Sequence, residues 1–328
     1  MATKTVIQTI RDTLFEEMER DERIIILGED VGLAGGVFGA TKGLQERFGE
    51  WRVIDTPLAE SAIIGTAIGA ALNGLLPIPE IQFADFIHPA FDQIVNEAAR
   101  IRYRSNGAWN VQMVIRCPWG GGIHGALYHS QSVEAFFTHV PGLKVVAPST
   151  PYDVAGLLRS SIDDPDPVLF LEHKKTYRLI KGEVPEGSRF KVPIGKAKVV
   201  RQGSDVSVFA YGLMVHQSLE AANLLSNEGI EAEVIDLRTL SPLDKETILN
   251  SVAKTGKALI VHEDNITGGF GAEVAAIIAS EGFEYMDGPI TRLAGPDVPA
   301  IPFASTLEEA FLPNTYKIAE AIRNLAKY

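Results

Sequence analysis

Short apolar segments rich in β-branched residues alternate along this chain with longer segments of helical periodicity. Val6, Ile10, Leu14 and Met18 recur at helical spacing, and a strand-like apolar run follows at residues 24–27. Strands separated by helices in this way pair in parallel, because each helix carries the chain back along the sheet. The pattern therefore predicts an α/β fold with mainly parallel sheets.

Composition separates two such α/β series. The chain between residues 180 and 197 is rich in glycine and proline and poor in apolar clusters, which is typical of a connection between domains. We predict a first domain at residues 1–185, a linker at 186–197 and a second domain at 198–328. Helices are expected, among other places, at residues 61–72, 89–103, 151–162 and 315–326, and strands at 77–83 and 144–147.

Charge and cysteine content exclude several classes of protein. The 328 residues carry a formal net charge of −12, which argues against a nucleic-acid partner and permits docking to a basic protein module. The one cysteine, Cys117, excludes an internal disulfide and suits a reducing compartment. The longest apolar run, residues 62–76, is interrupted by glycines and is too short to span a bilayer. We expect a cytoplasmic protein, or an organelle-matrix protein in a eukaryote, with no membrane partner.

Five short segments carry more functional information than the periodicity does. They are 55–60 (DTPLAE), 80–86 (EIQFADF), 124–132 (HGALYHSQS), 141–146 (PGLKVV) and 234–239 (VIDLRT). In this order they resemble the β subunits of thiamine-diphosphate-dependent 2-oxo acid dehydrogenases, and the resemblance covers the whole chain. The segment HGALYHSQS is more similar to the branched-chain 2-oxoisovalerate members than to the pyruvate members.

The resemblance implies a fold and a set of partners. It implies a thiamine-pyrimidine-binding parallel-sheet domain, then a transketolase C-terminal-like α/β domain, in an α2β2 heterotetramer with thiamine diphosphate bound between α and β. Related enzymes hold magnesium diphosphate with a Gly-Asp-Gly motif, which this chain lacks. We therefore expect the α subunit to hold Mg²⁺ and the diphosphate. The family's C-terminal domain docks the basic peripheral subunit-binding domain of the lipoyl acyltransferase core.

Glu60 is the expected cofactor activator. The aminopyrimidine of thiamine must change tautomer to remove a proton from the reactive thiazolium carbon, and a carboxyl group hydrogen-bonded to the ring nitrogen drives that change. The resemblance gives this role to Glu60, which precedes an alanine- and glycine-rich helix. A favourable charge at a helix N-terminus is the alternative explanation.

Three further residues are expected at the pyrimidine. Phe86 matches the family's stacking aromatic residue, where many branched-chain members have tyrosine, and stacking survives the loss of the hydroxyl. Gln82 belongs to the same segment, and Leu58 is expected to line the pocket. Ordinary core packing is the alternative for Phe86 and for Leu58.

His129 matches the family's active-site histidine. Acyl transfer to the lipoyl disulfide requires a proton at the departing sulfur, and an imidazole that titrates near neutrality suits that donation. His124, in the glycine-rich segment before it, competes for the role. Tyr128 and Gln131 flank His129 and are expected to shape the substrate or lipoyl channel.

A potassium site is the remaining metal prediction. Ser161, Asp164 and Asp166 resemble a family loop that holds structural K⁺, with Ser161 acting through its carbonyl. The family often has asparagine where Asp166 stands, and an acidic turn without a metal is the alternative.

These observations predict the β subunit of a branched-chain 2-oxo acid dehydrogenase, active only with an α subunit. The pair would decarboxylate a 2-oxo acid of the 2-oxoisovalerate type and transfer the acyl group to lipoyllysine. Pyruvate or acetoin dehydrogenase β subunit is the alternative within the enzyme class. A complete transketolase-like enzyme is disfavoured by the missing Gly-Asp-Gly motif and by the length. A non-catalytic docking subunit is the alternative from another class.

Overall fold

The computed structural model describes all of residues 1–328 and divides them into two units. The first unit comprises Met1–Trp119 and Phe136–Ile194, and the second comprises Gly120–Ala135 and Gly195–Tyr328. The domain bounds predicted from the sequence, 1–185 and 198–328, stay a prediction, and in the structure residues 120–135 group with the second unit. They fold with the second unit because their backbone amides are bound by buried carboxylates of that unit, Glu263 and Glu308.

The first unit is built on a parallel sheet. Its strands are β1 (Ala2–Thr5), β2 (Ile24–Gly28), β3 (Val53–Asp55), β4 (Leu76–Glu80), β5 (Val114–Trp119), β6 (Lys144–Val146), β7 (Val168–His173) and β8 (Lys181–Val184). Six of them form the parallel order β6-β7-β5-β4-β2-β3. The remaining two, β1 and β8, pair antiparallel. The parallel order puts the carboxyl ends of neighbouring strands on one edge, where ligands of α/β proteins bind.

Helices cover this sheet. They are α1 (Val6–Arg20), α2 (Leu44–Phe48), α3 (Glu60–Leu72), α4 (Ile101–Arg104), α5 (Glu134–Thr138), α6 (Pro151–Ile162) and α7 (Thr176–Leu179). Helix α5 begins in the segment that folds with the second unit. The core holds the apolar stripe of α1 together with Leu157, Leu158 and the buried strands.

Local signals explain where the two long helices of this core begin. Thr5 and Gln8 form a capping box at the start of α1, so the first free backbone amides have acceptors. Helix α6 begins at Pro151, and the side chain of Thr150 accepts the amide hydrogen of Asp153. The bounds of α6 are those expected from the sequence.

Two expected elements of the first unit differ from the structure. The helix expected at residues 89–103 is broken into a 3₁₀ turn (His88–Ala90), a π-helical segment (Gln93–Ala98) and α4. The wider π turns still bury Ile94 and Ala98, which is why an apolar stripe alone did not reveal the break. The strand expected at residues 77–83 ends at Glu80, and a 3₁₀ turn follows at Ala84–Phe86.

The second unit has its own sheet and core. Its strands are β9 (Lys198–Arg201), β10 (Val206–Ala210), β11 (Ala232–Asp236), β12 (Thr239–Ser241), β13 (Ala258–Asn265) and β14 (Ile290–Gly295). Its helices are α8 (Leu213–Ser226), α9 (Lys245–Thr255), α10 (Gly271–Glu281), α11 (Ser305–Phe311) and α12 (Thr315–Leu325). The sheet order is β14-β13-β10-β11-β9, with only β9 antiparallel. No helix of the 328 residues is both long and apolar enough to cross a membrane.

A buried ion cluster joins three strands of the first sheet. Arg116 on β5 donates to Glu172 on β7 at 2.6 and 2.8 Å and to Glu80 on β4 at 2.5 Å. The hydroxyl of Tyr177 donates to Glu172 at 2.6 Å. Burial alone would lower the pKa of Arg116, but Glu172 and Glu80 raise it, so the guanidinium stays charged. Removing one partner from such a cluster leaves a buried charge uncompensated.

We therefore expect Arg116→Met to lower the free energy of unfolding by about 3–5 kcal/mol. Urea unfolding followed by tryptophan fluorescence measures this, because Trp119 is buried while Trp51 and Trp109 are exposed. The matched control is Arg104→Met, since Arg104 pairs with Glu97 on the surface and should contribute no more than about 1 kcal/mol. Equal effects from the two substitutions would contradict the assignment.

Candidate functional site

The carboxyl ends of β3, β2 and β4 form a polar edge of the first unit. Gly28 lies opposite Asp55 on one side and Glu80 on the other. The carboxylate of Asp55 accepts the amide hydrogens of Gly32 and Leu33 at 2.6 and 3.2 Å, which fixes the loop that follows β2. Glu80 takes part in the Arg116 cluster. The ends of β3 and β4 thus each carry a carboxylate that is bound by groups of the same unit.

Glu60 is the first residue of α3 and follows β3 after a four-residue connection. Its side chain is half-buried. The adjacent Ser61 hydroxyl donates a short hydrogen bond to the carbonyl of Pro89, which ties the start of α3 to the segment after β4. The partial positive charge of a helix N-terminus stabilises a carboxylate in this place. Glu60 therefore lies at the carboxyl edge, and the hydrogen bond from Ser61 to Pro89 fixes the backbone beside it.

Glu29 is an acidic residue of this edge that the sequence analysis did not select. It follows β2 directly and is only 6% exposed. Burial raises the pKa of Glu29, and the charges of Glu60, Asp30 and Glu80 raise it further. Its position after a buried strand in Gly28-Glu29-Asp30 was visible in the sequence, but the same pattern also closes ordinary turns. The edge therefore concentrates carboxyl groups near Glu60.

The other expected pyrimidine residues lie in the same unit. Gln82 is half-buried, and its amide donates to Asp30 at 3.1 Å. Phe86 ends the 3₁₀ turn after β4, is half-buried, and meets Phe83 edge to face at 6.3 Å between ring centroids. Leu58 is 81% exposed, so it is not a core residue of this chain. An exposed leucine beside a polar edge is free to cover an apolar ligand group.

The three channel residues, Tyr128, His129 and Gln131, lie in the segment that folds with the second unit. His129 ends a 3₁₀ turn (Ala126–Tyr128) and is half-buried. Tyr128 is 60% exposed. The carbonyl of Gln131 accepts the amide hydrogen of Gly120 at 3.3 Å, which closes the segment into a loop.

His124, the competing histidine of this segment, contacts a buried carboxylate. Its Nδ1 atom lies 2.6 Å from a carboxylate oxygen of Glu308. His124 also has a left-handed backbone (φ 58°). The contact gives His124 a structural task in the loop, and the catalytic role of His129 stays a prediction.

Glu134 and Asp264 are two acidic residues of the second unit that the sequence analysis did not select. Glu134, at the start of α5, accepts a hydrogen bond from Tyr211 at 2.7 Å. Burial raises the pKa of Glu134 to about 8, with the charge of Asp264 as the next cause. Burial also raises the pKa of Asp264 to about 6. Burial therefore favours the protonated form of Glu134 more than that of a surface glutamate, and a protonated carboxyl can donate a hydrogen bond.

The three expected potassium ligands lie together in one loop, but their oxygens are already engaged. Both carboxylate oxygens of Asp164 bind the ammonium of Lys144, at 2.5 and 2.7 Å. Asp166 binds Arg102 at 2.9 and 3.1 Å, and the carbonyl of Ser161 accepts the amide of Asp164 at 3.3 Å. Because Lys144 already supplies a positive charge to this loop, we expect that the loop does not bind K⁺.

The donor set of the first unit fits the aminopyrimidine end of thiamine diphosphate. A carboxyl group, an amide and an aromatic ring are the groups that such a heterocycle requires for hydrogen bonding and stacking. Nowhere in residues 1–328 are three or more histidine, cysteine, aspartate or glutamate residues grouped so that they could hold a metal ion.

Comparison with known proteins identifies both units. Residues 2–180 match the transketolase pyrimidine-binding domain, and residues 195–318 match the transketolase C-terminal domain. The chain is 58% identical to the 2-oxoisovalerate dehydrogenase subunit beta of Bacillus subtilis, over all of both chains. It is 49% identical to the pyruvate dehydrogenase E1 component subunit beta of the same organism, again over both full lengths. It is 48% identical to the acetoin:2,6-dichlorophenolindophenol oxidoreductase subunit beta of Cupriavidus necator, covering 100% of this chain and 99% of that one.

Solved structures agree on the fold. A split-gene transketolase, described as an inactive β4 tetramer, superposes with a TM-score of 0.77 at 22% identity and covers 98% of each chain. Transketolase from Leishmania mexicana superposes with a TM-score of 0.72 at 16% identity, over 100% of this chain and 46% of that one. At these identities the likeness shows the fold alone. The predicted order of a pyrimidine-binding domain and a transketolase C-terminal-like domain is confirmed.

The Lys144 contact predicts how the protein responds to monovalent cations. We expect the thermal unfolding midpoint to be the same in potassium and choline chloride at equal ionic strength. Lys144→Met should destabilise the protein by about 1.5–3 kcal/mol, the range for hydrogen bonds to charged groups, because Asp164 loses its partner. Lys42→Met is the control, since Lys42 is exposed. If the thermal unfolding midpoint of the wild type rose saturably with K⁺ but not with choline, the loop would bind K⁺ and this expectation would be wrong.

Proposed function

The chain belongs to the β subunits of the thiamine-diphosphate-dependent 2-oxo acid dehydrogenases, and from this membership we propose that it serves a branched-chain enzyme. With an α subunit it would decarboxylate a 2-oxo acid of the 2-oxoisovalerate type and pass the acyl group to lipoyllysine of an acyltransferase core. An α2β2 assembly would hold thiamine diphosphate, with the diphosphate and Mg²⁺ on the α subunit. The absence of a Gly-Asp-Gly motif supports this division.

Glu60 carries the proposal. Bound thiamine diphosphate supplies a nucleophilic carbon once its pyrimidine changes tautomer. A half-buried carboxyl at the start of α3, tied to the segment after β4 through Ser61, can hold a proton at a ring nitrogen in a fixed direction. The nearby Glu29 is buried, and burial together with the charge of Glu60 raises the pKa of Glu29. Phe86 would stack on the ring, with Gln82 and Leu58 beside it.

His129 is proposed to act on the second half-reaction. Its half-buried imidazole stands at the end of a short turn, with the exposed Tyr128 on one side and Gln131 on the other. An imidazole in this place can deliver a proton to the departing lipoyl sulfur or can stabilise the 2-oxo acid carboxylate. The two roles differ in which half-reaction a substitution would impair.

The branched-chain preference rests on similarity. Identity is 58% to a 2-oxoisovalerate subunit, against 49% and 48% to pyruvate and acetoin subunits. The segment HGALYHSQS, which resembles the 2-oxoisovalerate members, carries the proposed acid His129 and its neighbours.

Glu60→Gln should lower 2-oxo acid decarboxylation by about 10²–10⁴-fold, the usual contribution of a general acid–base group, because an amide cannot exchange the proton. The assay uses the chain co-purified with an α subunit, thiamine diphosphate and Mg²⁺. Assembly, measured by size-exclusion chromatography, should be unchanged. Glu50→Gln is the control, since Glu50 is an exposed turn residue. Full activity of Glu60→Gln would favour the non-catalytic docking subunit.

Substrate choice is tested by comparing kcat/KM for 2-oxoisovalerate and pyruvate on the same α–β preparation. We expect 2-oxoisovalerate to be preferred by about 10–200-fold, because an apolar pocket gains binding energy from the added methyl groups. A preference for pyruvate would reassign the chain to the pyruvate or acetoin type and would leave the role of Glu60 intact.

A further inference from the structure

The carboxylate of Glu308 is bound on several sides by the loop that precedes His129. Glu308 lies on α11 and is 2% exposed. One of its oxygens accepts the amide hydrogen of Gly122 at 2.9 Å, and both lie 3.3 Å from the amide nitrogen of His124. The Nδ1 atom of His124 lies 2.6 Å from the second oxygen. All of these residues belong to the second unit.

The backbone of the loop explains why a carboxylate sits there. Gly122, His124 and Ala126 have φ values of 80°, 58° and 55°, so left-handed residues alternate with others. Successive amide groups in such a conformation point to the same side and form a concavity that attracts an anion. Glu308 fills this concavity from within the chain. Two of the three left-handed residues are not glycine, so the conformation is strained and needs such support.

A second buried carboxylate holds the beginning of the loop. Glu263 is buried and accepts the amide hydrogen of Gly121 at 2.8 Å. A β-carbon added at Gly121 would meet a methyl carbon of Leu312 at 3.0 Å, so the loop packs tightly on the chain after α11. The loop therefore has little freedom to move while both contacts remain.

The held loop touches His129 directly. A β-carbon added at Gly125 would meet the Cβ of His129 at 2.6 Å and its carbonyl oxygen at 2.8 Å. The hydroxyl of Ser130 also accepts the amide hydrogen of Gly125, at 3.1 Å. Any shift of residues 122–125 would therefore be passed on to the backbone of His129.

We propose that Glu308 is a positioning residue for His129, acting through its contacts with Gly122 and His124 and through the close packing of Gly125 on His129. The inference rests on the proposed function, because it gives His129 the task of acyl transfer to the lipoyl group. Glu308→Gln would replace an acceptor oxygen by an amide group that cannot accept from the loop amides and would remove the charge paired with His124.

The experiment measures two half-reactions of the assembled α–β enzyme. Decarboxylation is followed with 2,6-dichlorophenolindophenol as electron acceptor, and acyl transfer is followed on a free lipoyl domain. We expect Glu308→Gln to lower acyl transfer by at least about tenfold, because small misplacements of catalytic groups are costly, while decarboxylation changes by less than about threefold. Glu309→Gln is the matched control, being the same charge change on the next, exposed residue of α11.

A double-mutant cycle distinguishes positioning from general damage. If Glu308 acts through His129, adding Glu308→Gln to His129→Ala should have no further effect on acyl transfer. Additive losses would overturn the proposal, as would equal losses in both half-reactions. Gly125→Ala is the second variant should Glu308→Gln fold poorly. It leaves Glu308 intact, displaces His129 by overlap, and should give the same selective loss.

Chemical modification of His129 tests the positioning role of Glu308 without an activity assay, so this proposal can fail independently of the proposed function. Modification of His129 by diethyl pyrocarbonate, followed by mass spectrometry, should become faster in Glu308→Gln, while the exposed His139 should be modified at the wild-type rate. An unchanged rate at His129 would overturn the positioning role. A wild-type enzyme that decarboxylates no 2-oxo acid would refute the proposed function instead, and the modification rates would still decide the role of Glu308.

Discussion

The ion cluster around the buried guanidinium of Arg116 is the interaction on which the first unit depends. Arg116 lies on the central strand β5 and donates to one carboxyl group from each neighbouring strand, Glu80 on β4 and Glu172 on β7. An isolated charge in this position would be strongly disfavoured, so the three groups specify each other's place. Because Glu80 is the last residue of β4, the cluster also determines where the chain leaves the sheet toward Gln82 and Phe86.

The polar edge above this cluster is rich in carboxyl groups. Glu29, Asp30 and Glu60 lie near one another, and burial together with these charges raises the pKa of Glu29. Burial beside other carboxyl groups thus favours the protonated form of Glu29. Cofactor activation through a nitrogen base requires a carboxyl group that can exchange a proton, which suits the role proposed for this edge.

Much of the fold follows from patterns that act locally. Thr150 and Pro151 mark the start of α6 in the sequence and in the structure, because capping requires only neighbouring residues. The π-helical segment at Gln93–Ala98 was missed, since the same apolar stripe is buried whether the turns are regular or wide. Glu60 could be selected because it belongs to a continuous motif, DTPLAE, that the family shares. Its placement at the pyrimidine stays a prediction.

Contacts between distant parts of the chain could not be predicted. Glu308 is separated from Gly122 by most of the second unit, and nothing in the segment STLEEAF distinguishes it from its neighbour Glu309. The contact between Asp164 and Lys144 could not be predicted for the same reason, because the sequence of an acidic turn is the same whether a metal ion or an ammonium group balances its charge. Only the folded geometry shows which opposite charge is present.

The assignment of residues 120–135 to the second unit has a consequence for modularity. The chain cannot be cut after Ile194 into two intact modules, although that is where its composition suggests a boundary. A fragment starting at Gly195 would keep Glu263 and Glu308 but lose the backbone amides of Gly121, Gly122 and His124 that donate to them. An exchange of segments between relatives would therefore keep these hydrogen bonds intact only if the glycine-rich segment and the C-terminal region came from the same parent.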